Sequence, residues 1–482
     1  MSESHAVLLS IRSEHARAIY AGEKRAELRK SFTASGGGIV FLYETAPIAA
    51  VTGGFFVDEV IRLPVAEAIN RASEFGIERT RAERYYERSS HGWVISVARP
   101  FTFQQPFSLE KMRERNHRFM VPQGFAYVTP GDSLGSELIQ RMRASIKGEI
   151  VIKRIRKKNI SEFRELVFES VATAYEDIDD DFVNEVVFPD RSIKAAFSTE
   201  KKLLYELNLG KVTLGYTVLS VKKFGAVKTG PTLLRDSYRG LGIGVDVRMA
   251  ILKSCKALGY RKLYCTCPSN RPHVILYLLR AGMRLEAVLS HHLHRDRDEY
   301  VLGTLLRSAP AASISVSKVT SNRGTVRNLV EVGQSHKMWK SVSPFLQKWS
   351  SAWYYSFNST DAESLMQGII NHAGGIRSFS AKPRRIFGMQ EGARRLVCLL
   401  VLTEKRSGMA KLNLFSSFDS FDEILSLLKW ALSRAQYRRY YVTLPVDKCK
   451  AILAFLQMGF RVEGRLEQPF ENVDHVALGK NA

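Results

Sequence analysis

The stretch Gly259 to Leu289 aligns without a gap on Gln436 to Leu466. Tyr260 meets Tyr437, Arg261 meets Arg438, Tyr264 meets Tyr441, Thr266 meets Thr443 and Pro268 meets Pro445. The matches continue through Ile275 and Ile452, Leu276 and Leu453, Gly282 and Gly459, Arg284 and Arg461, and Glu286 and Glu463. A chain that repeats itself in this way builds one supersecondary unit twice. The unit begins with a strand, Tyr260 to Thr266 in the first copy, and continues with a helix that follows Asn270, carries Tyr277 and ends at Gly282.

Ahead of the first copy, Val227 to Leu234 is apolar and Thr-rich, as a strand is, and Val245, Met249 and Leu252 recur at helical spacing. Between them lies Tyr238-Arg239-Gly240-Leu241-Gly242-Ile243-Gly244. Glycines at these spacings let the backbone turn its N–H groups inward, and the helix that follows adds partial positive charge, so a pyrophosphate fits. The run lacks the Gly-Lys-Ser/Thr of a Walker A loop and is not a complete G-x-G-x-x-G. An ordinary strand-to-helix connection is the alternative.

Arg239-x-x-Gly242-x-Gly244, followed by Asn270 and Tyr277, resembles the GNAT N-acetyltransferases. The resemblance implies a mixed central sheet and acetyl-CoA as co-substrate, with no metal. It implies cofactor contacts at Leu233, Leu234, Arg239, Gly240, Leu241, Gly242, Ile243 and Gly244. It also implies that Asn270 meets the pantetheine arm and that Tyr277 protonates the departing CoA thiolate. Direct attack of an amine on a thioester needs a held donor, a polarised carbonyl and a proton for the leaving sulfur, which such a set supplies. Asn270 as a helix cap and Tyr277 as core are the alternatives. The general base stays open among Glu206, Asp236 and Glu299.

The second copy looks like a degenerate GNAT domain. Asn270 corresponds to Asp447 and Tyr277 to Ala454, while Arg239, Gly242 and Gly244 fall on Ser416, Asp419 and Phe421. Asp419 would repel a pyrophosphate and Phe421 would keep the backbone away from it. The apolar face Ile424, Leu427, Leu428 and Ala431 remains, as a retained fold requires. This copy is expected to be a non-catalytic partner that packs against the first or carries substrate contacts.

A third region precedes both. Ala6 to Ile11 alternates as a strand, Glu14 to Ala21 as a helix, and Gly22-Glu23-Lys24-Arg25-Ala26-Glu27-Leu28-Arg29-Lys30 leads past Gly36 to Gly38 into Ile39 to Tyr43. With Ala46-Pro47-Ile48, Gly53-Gly54 and Pro122-Gln123-Gly124-Phe125, this resembles the ASCH domain, a PUA-like β-barrel associated with RNA or modified nucleotides. Strand alternation puts Glu27 and Arg29 on one face, where a carboxylate can accept from a base amine and a cation can meet phosphate. Lys24, Glu27, Arg29 and Lys30 are therefore the candidate nucleic-acid contacts, against the alternative of an ordinary exposed charged strand. Some ASCH proteins hydrolyse N4-acetylcytidine with a Lys and a Thr near this place. Lys24 matches and Glu27 stands in place of the Thr, so a binding module is expected.

The 482 residues carry 71 Lys+Arg against 48 Asp+Glu, a net charge of +23, which draws a chain to polyanions. Clusters such as Lys153 to Lys158, Lys382-Pro383-Arg384-Arg385 and Arg434 to Arg439 lie beside aromatic residues in part, a pattern suited to unpaired bases and equally to solvated basic faces. No stretch approaches the ~20 apolar residues of a membrane span, so a soluble, cytoplasmic protein with no membrane partner is expected. Cys265-x-Cys267 lacks a matching Cys/His pair, and buried free thiols are expected. His291-His292-x-His294, with Asp296 and Asp298-Glu299, is taken as a loop at the acceptor site, with metal ligation as the alternative.

The expected fold class is α/β (α+β), with an ASCH-like domain over 1–130, a catalytic GNAT domain over 148–308 and a degenerate one over 314–482. Linkers are expected at Gly131 to Ile146 and Arg307 to Ser317. The expected function is an acetyl-CoA-dependent N-acetyltransferase acting on an amine of, or attached to, RNA, either a modified nucleobase or aminoacyl-tRNA. A protein or small-molecule amine acetyltransferase and a non-catalytic RNA-binding regulator that senses acetyl-CoA are the alternatives.

Overall fold

A computed structural model describes residues 6–32, 38–155, 160–170, 180–187, 199–292, 296–307, 327–333, 337–354, 357–373, 382–392, 395–405, 407–470 and 473–481. His294, residues 156–158 of the first basic cluster and most of the second expected linker lie outside them. The chain divides into two compact units. The first is Met1–Lys153 with Glu206–Tyr216 and Leu233–Ile251; the second is Arg154–Tyr205, Thr217–Thr232 and Leu252–Ala482.

The first unit is built on β1 (Ala6–Ile11), α1 (Ser13–Tyr20), β2 (Ala26–Arg29), β3 (Ile39–Glu44), β4 (Ala50–Pro64), β5 (His91–Ser108), β6 (Phe125–Val128), α2 (Ser133–Ser145) and β7 (Ile150–Arg154). Six strands pair in the order β2-β5-β4-β3-β1-β6, with β1 parallel to β3 from Val7↔Val40 to Ile11↔Glu44. The central strands are continuous apolar runs because both of their faces are covered: Val7, Leu9, Val40, Leu42 and Phe55 join Ala16 and Ile19 of α1 in one core. The expected barrel takes the form of a bent open sheet. Register shifts between β4 and β5 at Val51/Gly53 and Phe56/Val57 bend the long hairpin. Among the described residues no ladder joins β2 to β6, and each of these edge strands is only 4 residues long.

The rest of this unit comprises the end of β8 (Thr199–Leu209), the start of β9 (Val212–Lys222), the end of β10 (Ala226–Leu234) and most of α3 (Gly244–Ala257). The face that α3 buries differs from the expected one: Val247 and Ile251 are buried and Met249 is 51% exposed. Ile243, Val247 and Ile251 form the i, i+4 stripe that meets the core, two residues out of phase with Val245 and Met249.

The second unit adds β11 (Lys262–Pro268), α4 (Pro272–Arg280), β12 (Arg284–Leu289), β13 (Glu299–Leu305), β14 (Arg327–Glu331), β15 (Arg384–Glu391), β16 (Arg395–Lys405), β17 (Met409–Ser416), α5 (Phe421–Ser433), β18 (Arg439–Pro445), α6 (Cys449–Gln457), β19 (Arg461–Phe470) and β20 (Val473–Asn481). Its strands follow the order β14-β15-β16-β17-β18-β20-β19-β12-β13-β11-β10-β9-β8. The two copies therefore repeat one topology, strand, helix, strand, strand, and share one mixed sheet. Ile424, Leu427, Leu428 and Ala431 of α5 are fully buried in the core of the second copy, as the retained apolar face requires.

The copies meet as mates about an internal two-fold. β12 and β19 pair antiparallel at Ala287↔Gly464, residues that also correspond in the sequence repeat. Around this point contacts are reciprocal: Arg261 donates to the Gln468 carbonyl at 3.0 Å, and its mate Arg438 donates to the His291 carbonyl at 3.1 Å. Lys262 pairs with Glu286 at 2.7 Å, and its mate Arg439 pairs with Glu463. A Cβ on Gly464 would lie 2.3 Å from the Glu286 carbonyl oxygen and 2.4 Å from Ala287 Cα, so only glycine permits this joint. Such isologous contact is the geometry of a symmetric dimer, here made within one chain.

Among the described residues no helix is long and apolar enough to cross a membrane.

Candidate functional site

The Gly turn lies in the first unit. Gly240 and Gly242 have φ of 75° and 68°, values that L side chains rarely adopt. Tyr238, buried at the start of the turn, donates to the Val57 carbonyl at 2.9 Å, and Arg239 Nε donates to the Leu234 carbonyl at 2.9 Å. Leu241 and Ile243 are buried beneath the turn, while Gly240 and Gly242 face outward. The first bond of α3 runs from Val247 N to Ile243 O at 2.9 Å, so the N–H groups of the first turn point out of the helix end. That end is an anion seat in form.

It carries two residues that the sequence did not single out. Asp246 stands in the first turn of α3, and Arg143 Nε donates to its Oδ2 at 2.8 Å. Arg143 Cδ would be 3.7 Å from a Cβ at Gly242. This arginine comes from α2, a segment assigned to a linker, and it offsets the one carboxylate at the helix end. Its side chain is 35% exposed, so the guanidinium reaches solvent beside Gly242. Of the three candidate bases, Asp236 pairs with Arg239, Glu206 accepts from Asn208 Nδ2 at 3.4 Å, and Glu299 is buried 4.0 Å from His292 Nε2.

Asn270 and Tyr277 belong to the second unit. Asn270 is exposed, and the N-cap of α4 is Arg271 with no side-chain cap, so capping is not what Asn270 does. The Tyr277 ring is half-buried against Cys265, Cys267, Leu278, Met283 and Leu302. β11 and β10 run parallel in this unit and pair only from Ala226↔Lys262 to Lys228↔Tyr264. β10 continues through Thr232 and β11 through Pro268 without pairing to each other, which opens the sheet between them.

The second copy opens in the same way, after Met409↔Arg439 to Leu412↔Val442, and then fills the gap. Trp353 Nε1 donates to the Ser416 carbonyl at 2.8 Å and the Leu414 N–H donates to the Tyr354 hydroxyl at 3.2 Å. Both aromatic side chains are buried, and Tyr354 packs on Phe415, Phe470 and His475. Asp419, at the place of Gly242, accepts from Ala451 N at 2.9 Å at the start of α6, so a carboxylate of the chain sits at that helix end. This copy is closed by its own residues.

In the first unit, the structure brings Lys24, Glu27 and Arg29 together. The chain turns at Gly22 out of α1, with Glu23 N bonding to Ala18 O at 2.9 Å, and carries Lys24 inward. Lys24 Nζ donates to Glu27 Oε2 at 2.5 Å, and Arg29 Nε donates to Oε1 at 3.0 Å. Lys24 and Glu27 are 7% and 5% exposed, so this is not a solvated charged strand. Burial alone would raise the Glu27 pKa; the Lys24 ammonium and Arg29 guanidinium outweigh it and hold the carboxyl below its ordinary range. Arg29 also donates to the Ser10 carbonyl at 2.8 Å. Lys30 lies outside the triad, exposed over the Tyr85 ring.

With this geometry in hand, residues 9–105 match the family model of the ASCH domain. The chain carries an ASCH domain. Among solved structures, the ASCH protein from Zymomonas mobilis is 20% identical, covering 29% of this chain and 94% of its own, with a TM-score of 0.25. An acetyltransferase from Bacillus subtilis in complex with CoA is 17% identical over 32% of this chain and 97% of its own, with a TM-score of 0.26. Spermidine N-acetyltransferase from Vibrio cholerae, in complex with CoA and spermine, is 12% identical over 33% and 96%, with a TM-score of 0.27. A search of curated proteins finds no match.

The cysteines are free thiols, Cys255, Cys265, Cys267 and Cys398 buried and Cys449 exposed. Among the described residues no group of three or more His, Cys, Asp or Glu side chains is placed to hold a metal ion. His292 is buried edge-on to the Tyr441 ring, 4.6 Å between centroids. Burial, then Arg439 and Lys228, keeps its pKa well below the usual value, so the ring is neutral.

Proposed function

We propose that this protein is an acetyl-CoA-dependent N-acetyltransferase whose acceptor is an amine of, or attached to, RNA. The observation that carries the reading is the opening between β10 and β11, two parallel strands that stop pairing after Lys228↔Tyr264 and both run on. Unpaired backbone N–H and C=O groups at such an edge can receive an extended, amide-bearing arm as though it were another strand, and the pantetheine arm of CoA has that chemistry. Gly240 to Gly244 and the α3 N-terminus would hold the pyrophosphate, with Arg143 and Arg239 as cationic partners and with Leu233, Leu234 and Asn270 beside the cofactor. Tyr277 would donate the proton to the leaving thiolate. The ASCH domain, proposed to span 1–130, would read the RNA through Lys24, Arg29 and Lys30, with Glu27 fixing the two cations it bonds. The copy over 148–308 would be catalytic. The copy over 314–482, its opening filled by Trp353 and Tyr354, would complete the substrate surface.

Replacing Gly242 by Val should abolish acetyl-CoA binding, because a β-branched residue at φ 68° must rebuild the turn. Tyr277→Phe should leave acetyl-CoA affinity within about twofold and lower kcat about 10- to 100-fold or more. Equal loss of binding and turnover in Tyr277→Phe would show that its hydroxyl serves structure and not proton transfer.

A further inference from the structure

Three pairs of repeat mates leave large apolar side chains in solvent. Leu276 and Leu453, Leu279 and Leu456, and Leu285 and Val462 hold matching places in the two copies, and all six are between 36% and 61% exposed. They share one side of the sheet. Ala287, Val301 and Ala477 pack together on one side of the joint, so the next residues along, Leu302 and Leu478, point to the other. There Leu302 packs with Leu278 of α4, while their mates, Leu478 and Phe455 of α6, are buried in the core of the second copy. The repeat therefore sets α4 and α6 on the same side. Leu285 pairs with Leu302 and Val462 with Leu478, and cross-strand partners project from one face, so these two strand residues belong to the helix side as well.

Beside α6 this side is concave. Phe421 of α5, at the place of Gly244, and Leu453, Leu456 and Gln457 of α6 line an open cavity of about 540 Å³, a size that holds a bulky side chain with room to spare. The charge around it is one-sided. Residues 272–285 and 449–462 include no Asp or Glu, and Arg280, Arg284, Lys450 and Arg461 are exposed there. The carboxylates of the neighbouring segments are engaged by the chain itself. Asp419 accepts from Ala451 N at 2.9 Å and from Lys450 N at 3.4 Å, Asp447 pairs with Lys448, and Glu423 pairs with Arg327. Glu286 and Glu463 hold Lys262 and Arg439. Asp422, next to Phe421, is exposed and offsets one of the four cations.

We propose that this face is a docking surface for an acidic amphipathic segment of a partner protein. An apolar anchor of the segment fills the cavity at Phe421, Leu453 and Leu456, further apolar side chains lie over Val462 and Leu285, and its carboxylates meet Lys450, Arg461 and Arg284. Apolar contacts rimmed by charge of one sign suit a segment that carries both kinds of group. The other occupants fit less well. A second copy meeting this face with its own would set cations against cations, and a flat bilayer leaves the cavity unfilled. Nucleic acid brings phosphates without the aliphatic groups that leucines take. The inference does not rest on acetyl transfer: a chain that docks the segment yet transfers no acetyl group keeps the inference and loses the activity.

The test is selection from a displayed library of random peptides on the full chain, with Leu453→Ser/Leu456→Ser and Arg284→Glu/Arg461→Glu as parallel baits. All four residues are exposed, so both variants should melt as the wild type does; if the leucine pair fails to fold, Leu453→Ser alone reads the same contact. The wild type should enrich peptides that combine Leu or aromatic residues with Asp and Glu. The best of them, synthesised and labelled, should lose about tenfold or more in affinity for either variant. Met120→Ser, at an exposed apolar residue of the first unit, should leave that affinity unchanged. No enrichment, enriched peptides without acidic residues, or equal binding to the variants overturns the proposal. So does a dimer in sedimentation velocity, or binding to phosphatidylserine vesicles, that Leu453→Ser/Leu456→Ser abolishes, because the face then belongs to a second copy or to a bilayer.

Discussion

Glu27 carries the balance of the ASCH domain's buried charge. With Lys24 on one oxygen and Arg29 on the other, its carboxylate is more stable in the fold than in the unfolded chain, so its folded pKa is depressed. The stabilisation is present above the unfolded carboxylate pKa of about 4.3 and is lost as the pH falls through the folded value. Glu27→Gln should lower the melting temperature at pH 7, because it leaves a buried Lys24 uncompensated, a cost of about 3–5 kcal/mol. It should also flatten the loss of stability that the wild type shows below about pH 4.3. A wild-type acid limb unchanged in the variant would deny the triad this role. The sequence carried the spacing of these residues and the shared face of Glu27 and Arg29. It could not carry their burial, because Ser10, whose carbonyl takes Arg29, lies on a different strand. Arg143 was illegible for a similar reason: only the packing of α2 against the Gly turn brings it to Gly242.

At the scale of elements, one difference separates the two copies: what lies in the opening of the sheet. The repeat made both strand–helix–strand units legible, and the Asp419 and Ala454 that stand for Gly242 and Tyr277 set the second apart from the first. That Trp353 and Tyr354 close it was not legible, since both precede the repeated stretch and reach it only through the fold. The helix α3 shows how a period can be assigned with its phase wrong: Val245, Met249 and Leu252 fit helical spacing, as do Ile243, Val247 and Ile251, and only the core decides between them. Trp353→Ala should remove about 3–5 kcal/mol of stability through the cavity it leaves and the Ser416 carbonyl it orphans. Thermal unfolding of the variant checks this. A loss below about 1 kcal/mol would mean that the aromatic plug is not what holds the second copy closed.

At the scale of the molecule, a net charge of +23 draws the chain to polyanions, and the number of phosphates it neutralises sets how strongly salt governs a nucleic-acid complex. If the ASCH domain and the basic faces engage RNA phosphates, log affinity should fall linearly with log salt, with a slope of about −0.7 for each single-strand phosphate neutralised. An affinity indifferent to salt between about 50 and 200 mM would show that the protein does not bind RNA through its phosphates. Transfer of radiolabel from acetyl-CoA joins this binding to chemistry, with charged tRNA, deacylated tRNA, total RNA and a protein extract offered in parallel. Label should enter RNA: charged tRNA alone if the acceptor is the aminoacyl amine, both tRNA forms if it is a nucleobase. Label confined to protein or small molecules, or none in any fraction, would contradict the proposed activity.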